Sequence, residues 1–169
     1  MEAGLSSKQS RRARTTFGTL SALLDGVNLR LLAELQLDPR QPTSKLARKL
    51  GMSAPAVSER VQRLREAGVI TGCRLELDPR ALGLPVTAYV RIRPGPGQLS
   101  RVAELAQRTA EVVECHRITG EDCFLLKLHV AEVHKIEAIL DRFLAYGQTT
   151  TSIVQSSPVP LRGLPLPRT

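Results

Sequence analysis

The sequence predicts an α+β protein of two small domains, an N-terminal winged helix-turn-helix followed by a ferredoxin-like βαββαβ domain. Three observations predict it. Three short segments with helical apolar spacing crowd between residues 23 and 68, a breaker-rich stretch closes at Leu84, and beyond it β-type and helical runs follow in the order strand, helix, strand, strand, helix, strand. The 169 residues suit one ordinary domain or two small ones and exclude a large enzyme.

Residues 1–22 carry Lys8, Arg11, Arg12 and Arg14 against Glu2, with no sustained apolar period, and are expected to be a flexible basic arm. Residues 23–72 hold the three helices. From Leu23 to about Leu37 the stripe Leu24, Val27, Leu31 and Leu35, with Leu32 beside it, marks an amphipathic helix that Asp38-Pro39 stops. Thr43 or Ser44 is read as the N-cap of a second helix through Leu46, Ala47 and Leu50, with Gly51 at its left-handed end. Ser53 caps a third, with Pro55 in its first turn, Val57, Val61 and Leu64 facing inward and Gly68 ending it. The β-rich Val69, Ile70, Cys73, Leu75 and Leu77 suggest a strand or wing, and residues 73–84 form the wing and linker.

The second domain spans residues 85–157. Val86, Ala88, Val90 and Ile92 alternate as in a strand, and Leu99, Val102, Ala103 and Ala106 take helical spacing. Strands are expected near Val112–Thr119 and Cys123–Val130 around a turn at Gly120-Glu121-Asp122. A helix follows through Val133, Ile136, Leu140 and Phe143 to near Gly147, and Thr149, Thr150, Thr151, Ile153 and Val154 make the last strand. Residues 158–169, with four prolines, are expected to be an exposed tail.

A formal charge of +8 and a pI near 10.1 point to a polyanionic partner, and 3% aromatics argue against base-stacking platforms for single strands. Between Arg40 and Arg65, the cations Arg40, Lys45, Arg48, Lys49, Arg60, Arg63 and Arg65 face one acid, Glu59. That concentration on the second and third helices favours double-stranded DNA. With Val57, Val61 and Leu64 inward, Ser58, Glu59, Gln62 and Arg63 and the cap residues Ser53, Ala54, Pro55 and Ala56 are the major-groove candidates. Gln62 and Arg63 are long enough to read base edges; Arg60, Arg65, Lys45 and Lys49 suit phosphates.

Cys73, Cys115 and Cys123 are odd in number and lack CxxC spacing, which disfavours disulfides and structural zinc and suits a reducing cytoplasm. No apolar run is long enough to span a bilayer, and no secretory h-region is visible near Met1. A metal site built from Cys115, His116, Cys123, His129 and His134 is disfavoured because Cys115 and His116 point to opposite faces of a strand. No cofactor fingerprint, GxSxG, HExxH or P-loop is present.

The runs LDGVNLRLLAELQLDPR, KLARKLGMS and AVSERVQRLREAGVITG resemble the N-terminal domain of the Lrp/AsnC (feast/famine) transcription regulators. Asp25, Asn28, Arg30, Leu31 and Leu32 match the family's opening helix. Ser53, Val57, Arg60, Val61, Arg63, Leu64, Gly68, Val69 and Ile70 match its recognition helix and exit. From the Val86 strand through ITGEDCFLLKLHV to TTTSIVQSS the chain resembles the family's amino-acid-sensing domain, so the likeness covers about residues 23–157.

The resemblance implies a homodimer or higher even oligomer on pseudo-palindromic DNA, with the ferredoxin-like domains as its core. A sheet covered on one face leaves the other open, and pairing two sheets would bury it. The resemblance also implies an effector, commonly an amino acid, at Thr119, Gly120, Glu121, Asp122, Cys123 and Phe124. A Gly-containing turn offers amides for a carboxylate, and Glu121 and Asp122 offer acceptors for an ammonium group. Taken alone, the same residues make an ordinary turn. Cys123 stands where many relatives carry Asp, with Asp122 one place earlier. An enzyme alternative with this two-domain layout, siroheme decarboxylase, would use His116, Arg117 and His129 on an anionic tetrapyrrole. The basic third helix favours the regulator.

Overall fold

The computed structural model describes residues 23–167, so the expected basic arm at residues 1–22 lies outside the described residues. Two compact units emerge, one running to Arg74 and regaining the chain from Leu161, the other spanning Leu75–Pro160.

Among the described residues the first unit holds a helical trio, α1 (Gly26–Leu37), α2 (Thr43–Leu50) and α3 (Ala54–Glu66). Helix α1 begins later than its apolar stripe suggests because Asp25, in extended geometry, accepts a 2.6 Å hydrogen bond from the Asn28 amide and caps the helix. Leu31, Leu32, Leu46, Ala47, Leu50, Val57 and Leu64 form the core, with Leu24, Leu35 and Val61 partly buried against it. Val27 is only half-buried, and Asn28 takes the deeper place. The N-cap of α2 is Pro42, with no side-chain cap, in place of the expected Thr43 or Ser44. Its carbonyl accepts the Lys45 and Leu46 amides instead.

The turn between α2 and α3 follows the sequence closely. Gly51 takes φ +66°, which a side chain would resist, and Met52 N–H donates back to the Ala47 carbonyl at 2.9 Å. Ser53 then starts α3 in extended geometry, its Oγ accepting from the Ala56 amide at 3.4 Å.

The expected strand over Val69–Leu77 does not form. Val69 and Ile70 donate their amides to the Leu64 carbonyl at 2.9 and 3.1 Å and pack on the helical core, so they finish α3 instead of opening a ladder. Leu75 and Leu77 are exposed, and no strand lies among residues 67–85. A β-rich run without a partner strand has nothing to pair with.

The second unit contains β1 (Val86–Pro94), α4 (Leu99–Arg108), β2 (Val112–Arg117), β3 (Phe124–Val130), α5 (His134–Leu144) and β4 (Gly147–Ile153). This is the predicted βαββαβ order, with the antiparallel sheet arranged β2-β3-β1-β4. Strands β2 and β3 are shorter at their facing ends than expected because residues 118–123 make the turn. Ala88, Val90, Ile92, Phe124, Leu126, Leu128 and Val130 meet Val102 and Ala106 of α4 and Ile136, Ile139 and Phe143 of α5 in one core.

The other sheet face is polar. Tyr89 lies opposite Lys127, Thr87 opposite His129, and Arg91 and Arg93 alternate with buried Val90 and Ile92. Burial of a dry apolar face is therefore not what would drive sheet pairing; any partner here must satisfy charges. The tail also departs from expectation, since Leu166 is partly buried against the helical core of the first unit. Among the described residues no helix is long and apolar enough to cross a membrane.

Gly147 pairs with Pro94 where β4 begins. A Cβ there would stand 2.2 Å from the Arg93 carbonyl oxygen and 2.8 Å from Pro94 Cα, both backbone atoms. Gly147→Ala is expected to cost about 1–3 kcal/mol in urea titration as the strand ends are forced apart; unchanged stability would show that the pairing yields without cost.

Candidate functional site

The helix-turn-helix unit is held by a polar clamp at the start of α1. Arg60, at the middle of α3, donates from Nη1 to Asp25 Oδ2 at 2.8 Å and to Asn28 Oδ1 at 3.1 Å. Asn28 donates from Nδ2 to the Leu23 carbonyl at 2.7 Å. One buried amide thus joins the capping segment, α1 and α3, which is why a polar residue holds a core position. The Arg60 hydrogen bond and the Asn28 amide hold the Asp25 carboxyl below its ordinary value of 3.8. Arg60, read from sequence as a phosphate contact, spends this nitrogen inside the unit.

The outward faces of α2 and α3 carry the remaining candidates. Ser53, Pro55, Ser58, Glu59, Gln62, Arg63 and Arg65 are exposed, as are Lys45, Arg48 and Lys49. Ala54 is half-buried against the core and contributes packing. Arg63 forms an i,i+4 ion pair with Glu59, and Gln62 Nε2 donates to Glu66 Oε1 at 2.8 Å, so both long donors rest on acids of their own helix. Lys49 pairs with Glu34 on α1, which lowers the Glu34 carboxyl, and Arg30 Nη2 caps the Lys49 carbonyl at 3.1 Å. Lys45, Arg48 and Arg65 have no acidic partner among the described residues.

In the second unit, residues 118–123 connect β2 to β3. The Ile118 amide donates to the Cys123 carbonyl at 2.8 Å and the Cys123 amide to the Glu121 carbonyl at 3.0 Å, while Gly120 takes φ +108°. The Cys123 thiol points back at the Gly120 carbonyl, 3.4 Å away. Both acids of the turn meet β1: Arg93 reaches Glu121 at 2.5 Å and Asp122 at 3.4 Å, and Arg91 stands 3.9 Å from Asp122. Arg91 and Arg93 were not singled out by sequence reasoning. Their alternation with Val90 and Ile92 was the available signal, but the register that sets them beside the turn is a tertiary fact. Thr119 is exposed and has no side-chain partner among the described residues.

The residues of the enzyme alternative do not converge. His116 lies opposite Leu125 and His129 opposite Thr87, four residues apart along β3, or roughly 13 Å at strand spacing. His129 shares a 3.1 Å hydrogen bond with Thr87 Oγ1, and burial together with Lys127 lowers its pKa. Arg117 lies over the Phe124 ring at 5.8 Å. Cys115 and His116 sit opposite Leu126 and Leu125, on opposite sheet faces. Among the described residues no three His, Cys, Asp or Glu side chains gather as a metal site.

A capped, basic helix-turn-helix joined to a four-stranded α+β domain with a charged turn defines a two-domain DNA-binding protein of the ligand-sensing kind. The AsnC-type helix-turn-helix domain matches residues 24–65, and the Lrp/AsnC ligand binding domain matches residues 87–164. The chain belongs to the Lrp/AsnC family. The HTH-type transcriptional regulator LrpC of Bacillus subtilis is 32% identical over 133 residues, spanning 79% of this chain and 92% of its own. The solved LrpC structure superposes with a TM-score of 0.76 over 79% of this chain and 96% of that one. A feast or famine regulatory protein of M. tuberculosis, solved as a complex with L-methionine, is 31% identical with a TM-score of 0.78, covering 85% of this chain and 99% of that one.

The clamp carries a pH signature. Because the folded-state pKa of Asp25 is depressed, its stabilisation is fully present above 3.8 and fades as the pH falls through the lower folded value. Asp25→Asn keeps a capping side chain but removes the charge. With Asp25 43% exposed, the variant is expected to lose less than about 1 kcal/mol at pH 7, a gap that closes in acid. Urea midpoints across this range check it; a gap independent of pH would place the effect in the cap alone.

Proposed function

We propose that this chain is a cytoplasmic, sequence-specific regulator of transcription that binds double-stranded DNA as a homodimer or higher even oligomer and responds to an amino acid or related small metabolite. The observation that carries the DNA reading is the clamped α3, whose Ser58, Gln62 and Arg63 face solvent on the side away from Val57 and Leu64. A helix so presented fits a major groove, and its partners Glu59 and Glu66 release Arg63 and Gln62 when base edges compete for them. Lys45, Arg48 and Arg65 supply phosphate contacts, with Lys49 joining them on release from Glu34.

For the effector, Thr119, Gly120, Glu121, Asp122 and Cys123 supply the turn. The Gly120, Glu121 and Asp122 amides have no protein acceptor among the described residues and suit a carboxylate. Glu121 and Asp122 can receive an ammonium group as Arg93 and Arg91 shift to the ligand carboxylate. The L-methionine complex of the M. tuberculosis relative supports this ligand class. Two-fold assembly would present two copies of α3 to paired half-sites one helical turn, or a multiple of it, apart. The relatives named above are regulators, and no cofactor or catalytic step is invoked.

Arg63→Ala is expected to lower operator affinity by roughly 1–3 kcal/mol while leaving scrambled DNA almost unaffected. Lys45→Ala should weaken both duplexes alike and reduce the salt slope by about one counterion. Fluorescence anisotropy on the two duplexes checks both; equal losses for Arg63→Ala would remove it from base reading.

A further inference from the structure

Pro158, Pro160, Pro165 and Pro167 leave the end of the described chain little backbone freedom even when it is unbound. That end has a partner. Leu166 packs partly buried against the cluster containing Leu31, Leu46, Leu50 and Leu64, whereas Leu161 and Leu164 are 78% and 79% exposed. Gln36 on α1 donates from Nε2 to the Leu164 carbonyl at 3.3 Å. Gly163 approaches the same side chain so closely that a Cβ would collide with it. The apolar anchor of Leu166 and the Gln36 side chain, which bonds Leu164 and lies against Gly163, are two features that agree.

The chain leaves the sheet at Ile153, yet from Leu161 onward it belongs to the helix-turn-helix unit. It therefore passes between the two units twice, at residues 74–75 and again at 160–161. We propose that residues 161–167 are a strap, anchored on the helix-turn-helix unit by Leu166, that gives this unit a second tie to the sensing domain and restricts its orientations before it meets DNA. The strap uses α1 and the helical core, leaving Ser58, Gln62 and Arg63 exposed, so it supports the unit and does not plug the recognition face.

A unit on one tether surrenders its orientational freedom when paired half-sites are engaged. A unit on two has surrendered part of it already, and that part no longer counts against binding. This consequence rests on the DNA-binding reading above, but the anchor itself does not.

The test uses the full chain with Leu166→Asp, with Leu166→Ala as a milder variant and Val159→Asp as a control at an exposed position. Circular dichroism establishes that each is folded. Trypsin cleavage after Arg162, followed by mass spectrometry, reports the anchor, and anisotropy on a two-half-site operator and a scrambled duplex reports binding. Both Leu166 variants should be cut faster at Arg162 and bind the operator about two- to tenfold more weakly, with scrambled DNA and Val159→Asp unchanged. Cleavage at the wild-type rate would overturn the anchor. Faster cleavage with unchanged or increased operator affinity would overturn the restriction of orientation. If the wild-type chain shows no preference for any operator, the DNA-binding reading fails, while the cleavage comparison still decides the anchor.

Discussion

The contact between Arg60 and the Asp25–Asn28 pair fixes the geometry on which recognition depends. Among the described residues the helix-turn-helix core is a cluster of seven buried apolar side chains, contributed by helices of 12, 8 and 13 residues. Apolar contact alone is non-directional and leaves α3 free to rotate or slide by small amounts. A guanidinium shared by a capping carboxylate and a buried amide sets both the roll of α3 and the entry of α1. Because that pair is partly exposed, its contribution to stability is small and its contribution to position is the larger one.

The same economy governs the second unit. Its core is one apolar sheet face against two helices, and the charged residues left on the opposite face are placed by strand alternation alone. Arg91 and Arg93 thereby stand beside the β2–β3 turn and hold Glu121 and Asp122. A charged ligand entering this turn meets acids and cations already in contact, and it exchanges those ion pairs for its own. Cys123 makes no charged contact, so the acid duty of the turn falls on its two neighbours.

Much of this was legible in residue order. Apolar periodicity placed the five helices and four strands named above, among the described residues, to within a few residues, and Gly51 and Ser53 marked the turn through their backbone preferences. The failures share a cause. Val69 to Leu77 looked like a strand because β propensity cannot show that a partner strand is missing. Arg60 looked like a phosphate ligand because charge patterning does not reveal that Asp25, 35 positions earlier, lies within hydrogen-bond distance. Leu166 was lost among prolines, since one apolar residue in a tail has no period to detect. In each case the deciding partner is distant in sequence.

We infer that a basic, clamped recognition helix and a charged sensing turn serve one regulator. This is tested most directly by titrating the purified full chain against its own upstream promoter and a scrambled duplex across salt, with and without a pool of amino acids. Counterion release makes both duplexes salt-sensitive, so the affinity ratio is the deciding quantity. A ratio of ~10³ or more at physiological salt, shifted by an amino acid, is the result expected. A ratio near ~1 at every salt concentration, on this and other promoters and without response to any amino acid, would contradict it.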